Sequence, residues 1–202
     1  MDALKKRVAL YSIGHSNHSI SHFLSLLERH GIQAVADVRS SPYSRHYPQF
    51  SKEAIERSLG EHNIDYVFLG SELGARRNEQ ECYSDGKVDY DQVTKTEAFQ
   101  RGIARLLKGA STMRVAMVCA EKDPLTCHRT ILIGRYVKNM VTDVLHILHD
   151  GEIETQSQAE QRLLSECDMD EGELFTTREQ RILEAYHKRA CRIAYEEEAT
   201  HA

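Results

Sequence analysis

The stretch "VCAEKDPLTCHRT" (118–130) collects the residue types most suited to chemistry. An apolar run ends at Glu121, and after an Asp-Pro turn Cys127, His128 and Arg129 stand in a row at the predicted start of a helix. Free backbone N–H groups, the helix dipole and neighbouring positive charge all lower the pKa of a thiol. The sequence therefore predicts Cys127 as a nucleophile or polarised thiol, His128 as its proton partner and Glu121 as a general base.

Familiar motifs do not match this stretch. A phosphatase loop needs an arginine six residues after the thiolate, whereas Arg129 follows Cys127 by two. A zinc site made from Cys119, Cys127 and His128 lacks the usual paired ligand spacing. The sequence therefore predicts no metal and no cofactor. The alternative for Cys127 is a small core residue that packs the helix onto the sheet.

Three further polar loops follow predicted strands, namely "GHSNHS" (14–19), "DVRSSPYSRHYPQF" (37–50) and "GSELGARRNEQECYSDG" (70–86). The loops that follow helices ("GIQ", "NID", "AST") are plain by comparison. Ligands of open parallel sheets bind beyond the carboxyl ends of the strands, and arginine suits an anion. The predicted substrate-binding residues are His15, Ser16, Asp37, Arg39, Ser44, Arg45, Arg76 and Arg129.

Some of these residues have a structural alternative. Asp37, at a strand end, is of a kind that caps backbone amides, and Arg39 and Arg45 are suited to pair with it in solvated salt bridges. We nevertheless expect one cleft to contain the side chains that follow the strands, namely Asp37, Arg39, Arg45, Glu121, Cys127 and Arg129 together with His15. The reason is that each lies within a few residues of a strand's carboxyl end.

Short apolar runs alternate with amphipathic stretches along the first three quarters of the chain. The predicted strands are "RVALYSI" (7–13), "IQAVADV" (32–38), "IDYVFL" (64–69), "MRVAMVC" (113–119) and "TDVLHIL" (142–148). The predicted helices cover residues 19–30, 51–62, 90–109 and 127–140. Strict alternation of this kind predicts an α/β fold: an open, doubly wound, mostly parallel five-stranded sheet covered on both faces.

The sequence changes character after Asp150. From Asp150 onward there are 14 acidic and 6 basic residues, so the tail carries −8 and the first 149 residues carry +3 of the net −5. We predict an α/β domain over residues 1–150 that carries the site. Residues 151–202 are predicted to form an acidic helical C-terminal extension on the domain's edge, dispensable for the fold.

Bulk properties narrow the class of protein. A chain of 202 residues with 41% hydrophobic and 28% charged residues is typical of a soluble globular protein. No apolar run approaches the roughly 20 residues that span a bilayer, and five cysteines without framework spacing suit a reducing cytosol. We therefore expect a cytoplasmic protein without a membrane partner. Net negative charge does not indicate a nucleic-acid binder, and the oligomeric state is left open.

The motifs also resemble a known family. "YSIGHSNHSISHFLSLL", "VADVRSSPYSRHYPQF", "YVFLGSELGARR" and "VCAEKDPLTCHRTILIG", in this order, are similar to the bacterial family called domain of unknown function four-eight-eight. The resemblance runs from about Tyr11 to Ile147. It implies an α/β domain with its motifs in the strand-end loops, and it implies no particular activity.

Two functions are compatible with these residues. The first is an enzyme, such as an N-glycosidase or a thiol-dependent hydrolase or transferase, that acts on a small anionic substrate containing phosphate or a nucleotide. The second is a non-enzymatic module that binds or senses a nucleotide, a nucleic acid or a metal in the same cleft.

Overall fold

A computed structural model describes residues 8–170 and 176–196 of the chain. Its strands are β1 (Ala9–Gly14), β2 (Ala34–Asp37), β3 (Asp65–Phe68), β4 (Tyr83–Ser84), β5 (Lys87–Val88), β6 (Val115–Cys119), β7 (Asp143–Ile147) and β8 (Ile153–Thr155). Its α-helices are α1 (Ile20–Arg29), α2 (Lys52–Glu61), α3 (Gly70–Leu73), α4 (Tyr90–Val93), α5 (Glu97–Ala110), α6 (Arg135–Val137), α7 (Gln156–Glu166) and α8 (Arg178–Ile193). None of these helices is long and apolar enough to cross a membrane.

The central sheet has six strands in the order β3-β2-β6-β1-β7-β8, and only β8 runs antiparallel. Strands β2 and β6 are buried along their whole length, as expected for largely apolar strands covered on both faces. All five predicted strands are present, and the predicted α/β fold is confirmed. The separate β4-β5 hairpin was not predicted, since each of its strands has two residues.

Helices cover both faces of the sheet. Helices α1 and α2 pack their apolar sides on one face, around Phe23, Leu27 and Ile55. Helix α5 lies on the other face, together with the segment after β6 and the two C-terminal helices. The chain leaves β1 toward β2 and leaves β6 toward β7, in opposite directions across the sheet. The adjoining carboxyl ends of β1 and β6 therefore form a topological switch point, where open α/β sheets bind ligands.

The structure adds two observations on the C-terminal segment that the sequence did not predict. The sheet has a sixth strand at Ile153–Thr155, which pairs with β7 beyond the predicted boundary at residue 150. Residues of α7 and α8, including Leu163, Leu164 and Tyr186, are fully buried in the same core as α5. The apolar faces of these helices pack against the sheet layer within this core, so the segment contributes to the hydrophobic core.

A buried polar chain connects the sheet to these helices. Ser12 Oγ lies 2.7 Å from His146 Nδ1, and His146 Nε2 lies 3.0 Å from Gln156 Oε1. Gln156 Nε2 donates to Tyr186 Oη at 2.6 Å. The amide of Gln156 therefore presents its oxygen to the imidazole, so neutral His146 donates from Nε2 and accepts from Ser12. Burial lowers the pKa of His146 from 6.5 to about 3.

This buried histidine predicts a loss of stability in acid. Because the folded-state pKa is the lower one, the unfolded chain binds the extra proton first, and stability present above about pH 6.5 is lost as the pH falls toward about 3. At about pH 4.5 the loss from this one group is roughly 3 kcal/mol. His146→Gln should reduce the difference in unfolding free energy between about pH 7 and pH 4.5, measured by urea denaturation. The exposed-residue control His46→Gln should retain it; equal pH dependence of wild type and His146→Gln would contradict the prediction.

Candidate active site

Backbone hydrogen bonds connect the segments that follow β1 and β6 at the switch point. His15 N–H donates to the carbonyl oxygen of Cys119, and Ser16 N–H donates to that of Ala120, both at 2.9 Å. A Cβ on Gly14 would lie 1.9 Å from the carbonyl oxygen of Glu121, so only glycine fits there. Ser16 has a φ of 47°, a left-handed conformation that is uncommon outside glycine and often found at functional loops.

Two adjoining clefts open above this edge. The main cleft, of about 580 Å³, is lined by His15, Ser16, Asn17, Arg39, Ser41, Tyr43, Ser44, His46, Tyr47, Ala120, Glu121 and Lys122. The side cleft, of about 280 Å³, is lined by Arg39, Ser40, Ser41, Ala75, Arg76, Cys119, Ala120, Glu121, His128, Ile193 and Tyr195. Glu121 and Arg39 contribute to both clefts. The last two residues of the side cleft come from the C-terminal segment, outside the predicted site-bearing domain.

Asp37 and Arg39 form a buried ion pair beside the clefts. Arg39 donates from Nε to Asp37 Oδ1 at 2.9 Å and from Nη2 to Oδ2 at 2.6 Å. The same carboxylate accepts from the hydroxyl of Tyr66 at 2.8 Å. Burial opposes the charge of Arg39, but the hydrogen bonds to Asp37 raise its pKa above the ordinary value. Its third bond goes to the carbonyl oxygen of Phe50 at 2.8 Å, so the guanidinium is largely engaged within the protein.

Arg129 lies behind the clefts with none of its surface exposed. Its guanidinium donates to the carbonyl oxygens of Glu121, at 2.7 Å, and Lys122, at 3.2 Å. It lies on a π-helical turn, Arg129–Gly134, a rare conformation that is frequent at functional sites. Arg129 was predicted to hold an anion, but no part of its side chain reaches the cleft surface. Its hydrogen bonds instead fix the loop that carries Glu121.

Glu121 is the carboxylate at the junction of the two clefts. It is exposed to them, and its Oε2 lies 3.0 Å from Cys119 Sγ, which donates to it. The surrounding protein raises the pKa of Glu121 mainly by desolvation, and the nearby charge of Cys127 raises it further. A carboxyl group with a raised pKa at a cleft floor suits general acid–base chemistry.

Cys119, Cys127 and His128 form a buried cluster next to Glu121. His128 Nδ1 lies 3.6 Å from Cys119 Sγ and 3.8 Å from Cys127 Sγ. A hydrogen bond with Cys127 and burial both raise the pKa of Cys119. Burial opposes ionisation of Cys127, but the Cys119 hydrogen bond and the positive charges of Arg129 and His128 outweigh it and lower its pKa.

Cys127, predicted as a nucleophile or polarised thiol, is buried in this structure. Only 1% of this residue is exposed, because it lies beneath the turn of the strand-to-helix corner and belongs to the core. It ends a short 3-10 helix, Pro124–Thr126, and the longer helical segment begins after it. Alkylation of Cys127 ahead of the other thiols, which an accessible nucleophile would show, is not expected from this burial.

His15 packs as an uncharged ring. It stacks on Phe50 with ring centroids 4.4 Å apart, and burial lowers its pKa to about 4. Its Nδ1 lies 3.0 Å from the carbonyl oxygen of Ser16, which can only accept, so the ring proton is on Nδ1. This leaves Nε2 as a hydrogen-bond acceptor rather than a cation.

The structure brings some predicted residues together and separates others. His15, Ser16, Arg39, Ser44 and Glu121 line the main cleft, with Asp37 directly behind it. Arg45 lies on the neighbouring surface of the 41–51 loop, and Arg76 lines the side cleft, where its guanidinium lies 4.7 Å from the centroid of the Tyr195 ring.

Sequence reasoning did not single out several exposed residues of the main cleft, among them Lys122, Tyr43 and Tyr47. Lys122 makes no ion pair within the part of the chain that the structure describes, and Tyr43 and Tyr47 are exposed at the rim. Their position in the loops 37–50 and 118–130, which follow strands, could have identified them as residues of the site. They were passed over because a lone lysine or tyrosine in a loop is usually an ordinary surface residue.

No curated protein and no solved structure shows significant similarity to the chain. A family model described as "Domain of unknown function DUF488" matches residues 19–136. This range contains the loops at 37–50 and 70–86 and the whole stretch 118–130. Because the match covers more than half of the 202 residues, the protein belongs to the DUF488 family.

Proposed function

We propose that the main cleft binds a small anionic ligand that contains a phosphate group, such as a nucleotide, and that Glu121 is the acid–base group of an enzyme acting on it. One observation carries the proposal: a carboxylate with a raised pKa lies in a 580 Å³ cleft with an exposed lysine and two exposed tyrosines. Clefts of this size with a few convergent polar groups are typical small-ligand sites.

The roles of the charged residues differ from those suggested by the sequence alone. Lys122 supplies exposed positive charge for the phosphate inside the main cleft and Arg45 adds positive charge on the neighbouring surface, whereas Arg39 and Arg129 position the loops that form the cleft. His15 offers an acceptor nitrogen, which suits a hydroxyl group of a sugar. Tyr43 and Tyr47 provide faces on which a base can stack.

Glu121 fits the cleavage of a bond by water. Its raised pKa favours a group that takes a proton from an attacking water and returns it to the leaving group. N-glycosidic cleavage of a nucleotide needs only this carboxyl group, the water and holders for the phosphate. It does not need Cys127 as a nucleophile.

Calorimetric titration with AMP, adenosine and inorganic phosphate tests the binding part. AMP should bind more tightly than adenosine, and Lys122→Met should weaken AMP binding about tenfold, a loss of about 1.4 kcal/mol. Lys108→Met is the matched control, since this exposed lysine near the end of α5 lies toward the start of β6, at the opposite edge of the sheet. Equal affinity for AMP and adenosine, or an equal effect of both lysine variants, would count against the proposal.

The catalytic part is tested by following nucleoside monophosphates with the protein by ¹H and ³¹P NMR. Wild type should release a free base or phosphate, and Glu121→Gln should lower the rate at least about 100-fold while it still binds AMP. AMP that binds tightly to wild type and stays intact would instead support the non-enzymatic binding module.

A further inference from the structure

Three buried side chains with metal-ligating atoms meet behind the side cleft. The sulfur atoms of Cys119 and Cys127 and a ring nitrogen of His128 all lie within 4.8 Å of one another. Cys119 is the last residue of β6, and the other two follow the Pro124–Thr126 turn, so the corner of the chain brings together residues eight and nine positions apart. Sequence spacing disfavoured a metal here because it does not reveal how tightly this corner closes.

The distances suit a tetrahedral cation. Zn–S bonds of about 2.3 Å and Zn–N bonds of about 2.0–2.1 Å place sulfur and nitrogen ligands about 3.6 Å apart in a tetrahedron. The observed separations from His128 Nδ1 to the two sulfurs are 3.6 and 3.8 Å. Two thiolates and an imidazole are a ligand set that favours zinc among the common divalent ions.

The surroundings of the cluster hold its atoms in ligand orientation. His128 Nε2 lies 3.0 Å from the carbonyl oxygen of Val38, so this nitrogen carries a proton, and in the neutral ring the lone pair of Nδ1 is directed at the sulfurs. Arg129 N–H donates to Cys127 Sγ at 3.5 Å. A ligating histidine in a protein metal site usually donates the N–H of its other ring nitrogen to a carbonyl or carboxylate oxygen in this way.

One side of the cluster faces the clefts. Cys119 and His128 line the side cleft together with Glu121, whose carboxylate contacts the Cys119 sulfur. Glu121 is not part of the mutually close group of three ligands. Three protein ligands with an open fourth position are the arrangement of catalytic zinc sites, in contrast to the four ligands of structural sites.

We propose that Cys119, Cys127 and His128 bind one divalent zinc ion, with the fourth coordination position open to the side cleft beside Glu121. Water filling that position would lie next to the Glu121 carboxylate. The metal site goes beyond the proposed ligand function and does not depend on it. Metal binding is measured without any anionic ligand, and its failure leaves the AMP experiments unaffected.

The test uses the reduced full-length chain. After removal of metal by a chelator, titration with Zn²⁺ should give one ion per chain, measured by elemental analysis after desalting. Co²⁺ should bind in its place and produce the intense visible absorption of a four-coordinate site and thiolate-to-cobalt charge-transfer bands in the near ultraviolet. Reduced wild-type protein that binds neither ion, or gives a cobalt spectrum without thiolate bands, would overturn the proposal whatever the variants do.

Variants then locate the site. Cys127→Ser and His128→Gln should each weaken Zn²⁺ binding at least 100-fold in a competition titration, while Cys82→Ser, a fully buried cysteine outside the cluster, should retain wild-type affinity. In case a variant does not fold, alkylation of wild type by N-ethylmaleimide gives a second measurement. Zn²⁺ should slow labelling of Cys119 and Cys127 but not of the exposed Cys191. Equal zinc affinity in Cys127→Ser and wild type, or labelling of Cys119 and Cys127 that is measurable without zinc and unchanged by it, would refute the site.

Discussion

A chain that ends at Gly151 is expected to lose its cooperative unfolding transition. Strand β8, which pairs with β7, and both C-terminal helices lie beyond this point. The removed residues include Leu163, Leu164, Ile182 and Tyr186, all buried in the core that also contains α5. At about 1.5–3 kcal/mol for each large apolar side chain, their burial contributes roughly 6–12 kcal/mol. This equals a large part of the 5–15 kcal/mol that stabilises a typical domain.

Truncation also removes the hydrogen-bond partners of polar groups that are buried in the full chain. His146 loses Gln156, and the edge of β7 loses the hydrogen bonds of β8. The shorter chain therefore lacks part of its hydrophobic core. It also contains unpaired polar atoms, and each of these atoms costs free energy if it stays buried.

Circular dichroism during thermal unfolding distinguishes the outcomes. The chain ending at Gly151 should show a broad transition without a defined midpoint. A control chain ending at Glu196 keeps strand β8 and both C-terminal helices, and it should melt like the full-length protein. A cooperative transition of the Gly151 chain within a few degrees of wild type would instead support the division into a domain of residues 1–150 and a dispensable extension.

The sequence predicts the five parallel strands well because each is a short run rich in Val, Ile, Ala, Leu or Tyr, and the central strands β2 and β6 are buried on both faces. The sixth strand escapes this reasoning. Ile153–Thr155 has three half-buried residues, and its place in the sheet depends on the turn at Gly151, which has a φ of 83°. A short edge strand gains its stability from a neighbour rather than from its own residues, so no periodic pattern marks it.

The sequence indicates where the candidate site lies, but it does not indicate what each charged residue does there. The strand-end rule places the polar loops at one edge, where the two clefts lie. The rule does not say which cation the protein neutralises internally. Arg39 and Arg129 bond to Asp37 and to backbone carbonyl groups, whereas Lys122 faces the cleft. Such pairings depend on distances between residues that are remote in sequence, such as Arg39 and Phe50.

Removing the guanidinium of Arg39 should destabilise the protein by about 3–5 kcal/mol, because the buried carboxylate of Asp37 then has no counter-charge. The carboxylate is fully buried and has Arg39 and Tyr66 as its side-chain partners. Burial and the charge of Asp37 raise the pKa of Tyr66, so its hydroxyl stays a donor near neutral pH. That single neutral hydrogen bond does not replace an ion pair with two contacts.

The same substitution should loosen the main cleft. Arg39 Nη1 holds the carbonyl oxygen of Phe50, and the Phe50 ring stacks on His15. Arg39 is therefore expected to act as a positioning residue, and Arg39→Met should weaken AMP binding through the shift of Phe50 and His15.

Urea denaturation of Arg39→Met, Tyr66→Phe and the double variant Asp37→Leu/Arg39→Met separates these effects. Tyr66→Phe should cost about 1–2 kcal/mol, since it removes one hydrogen bond. The double variant should be more stable than Arg39→Met alone, because an apolar pair leaves no buried charge unpaired. If Arg39→Met were as stable as wild type, the Asp37–Arg39 ion pair would not contribute to the stability of the folded protein. Arg39 would then be available to a ligand, as the sequence first suggested.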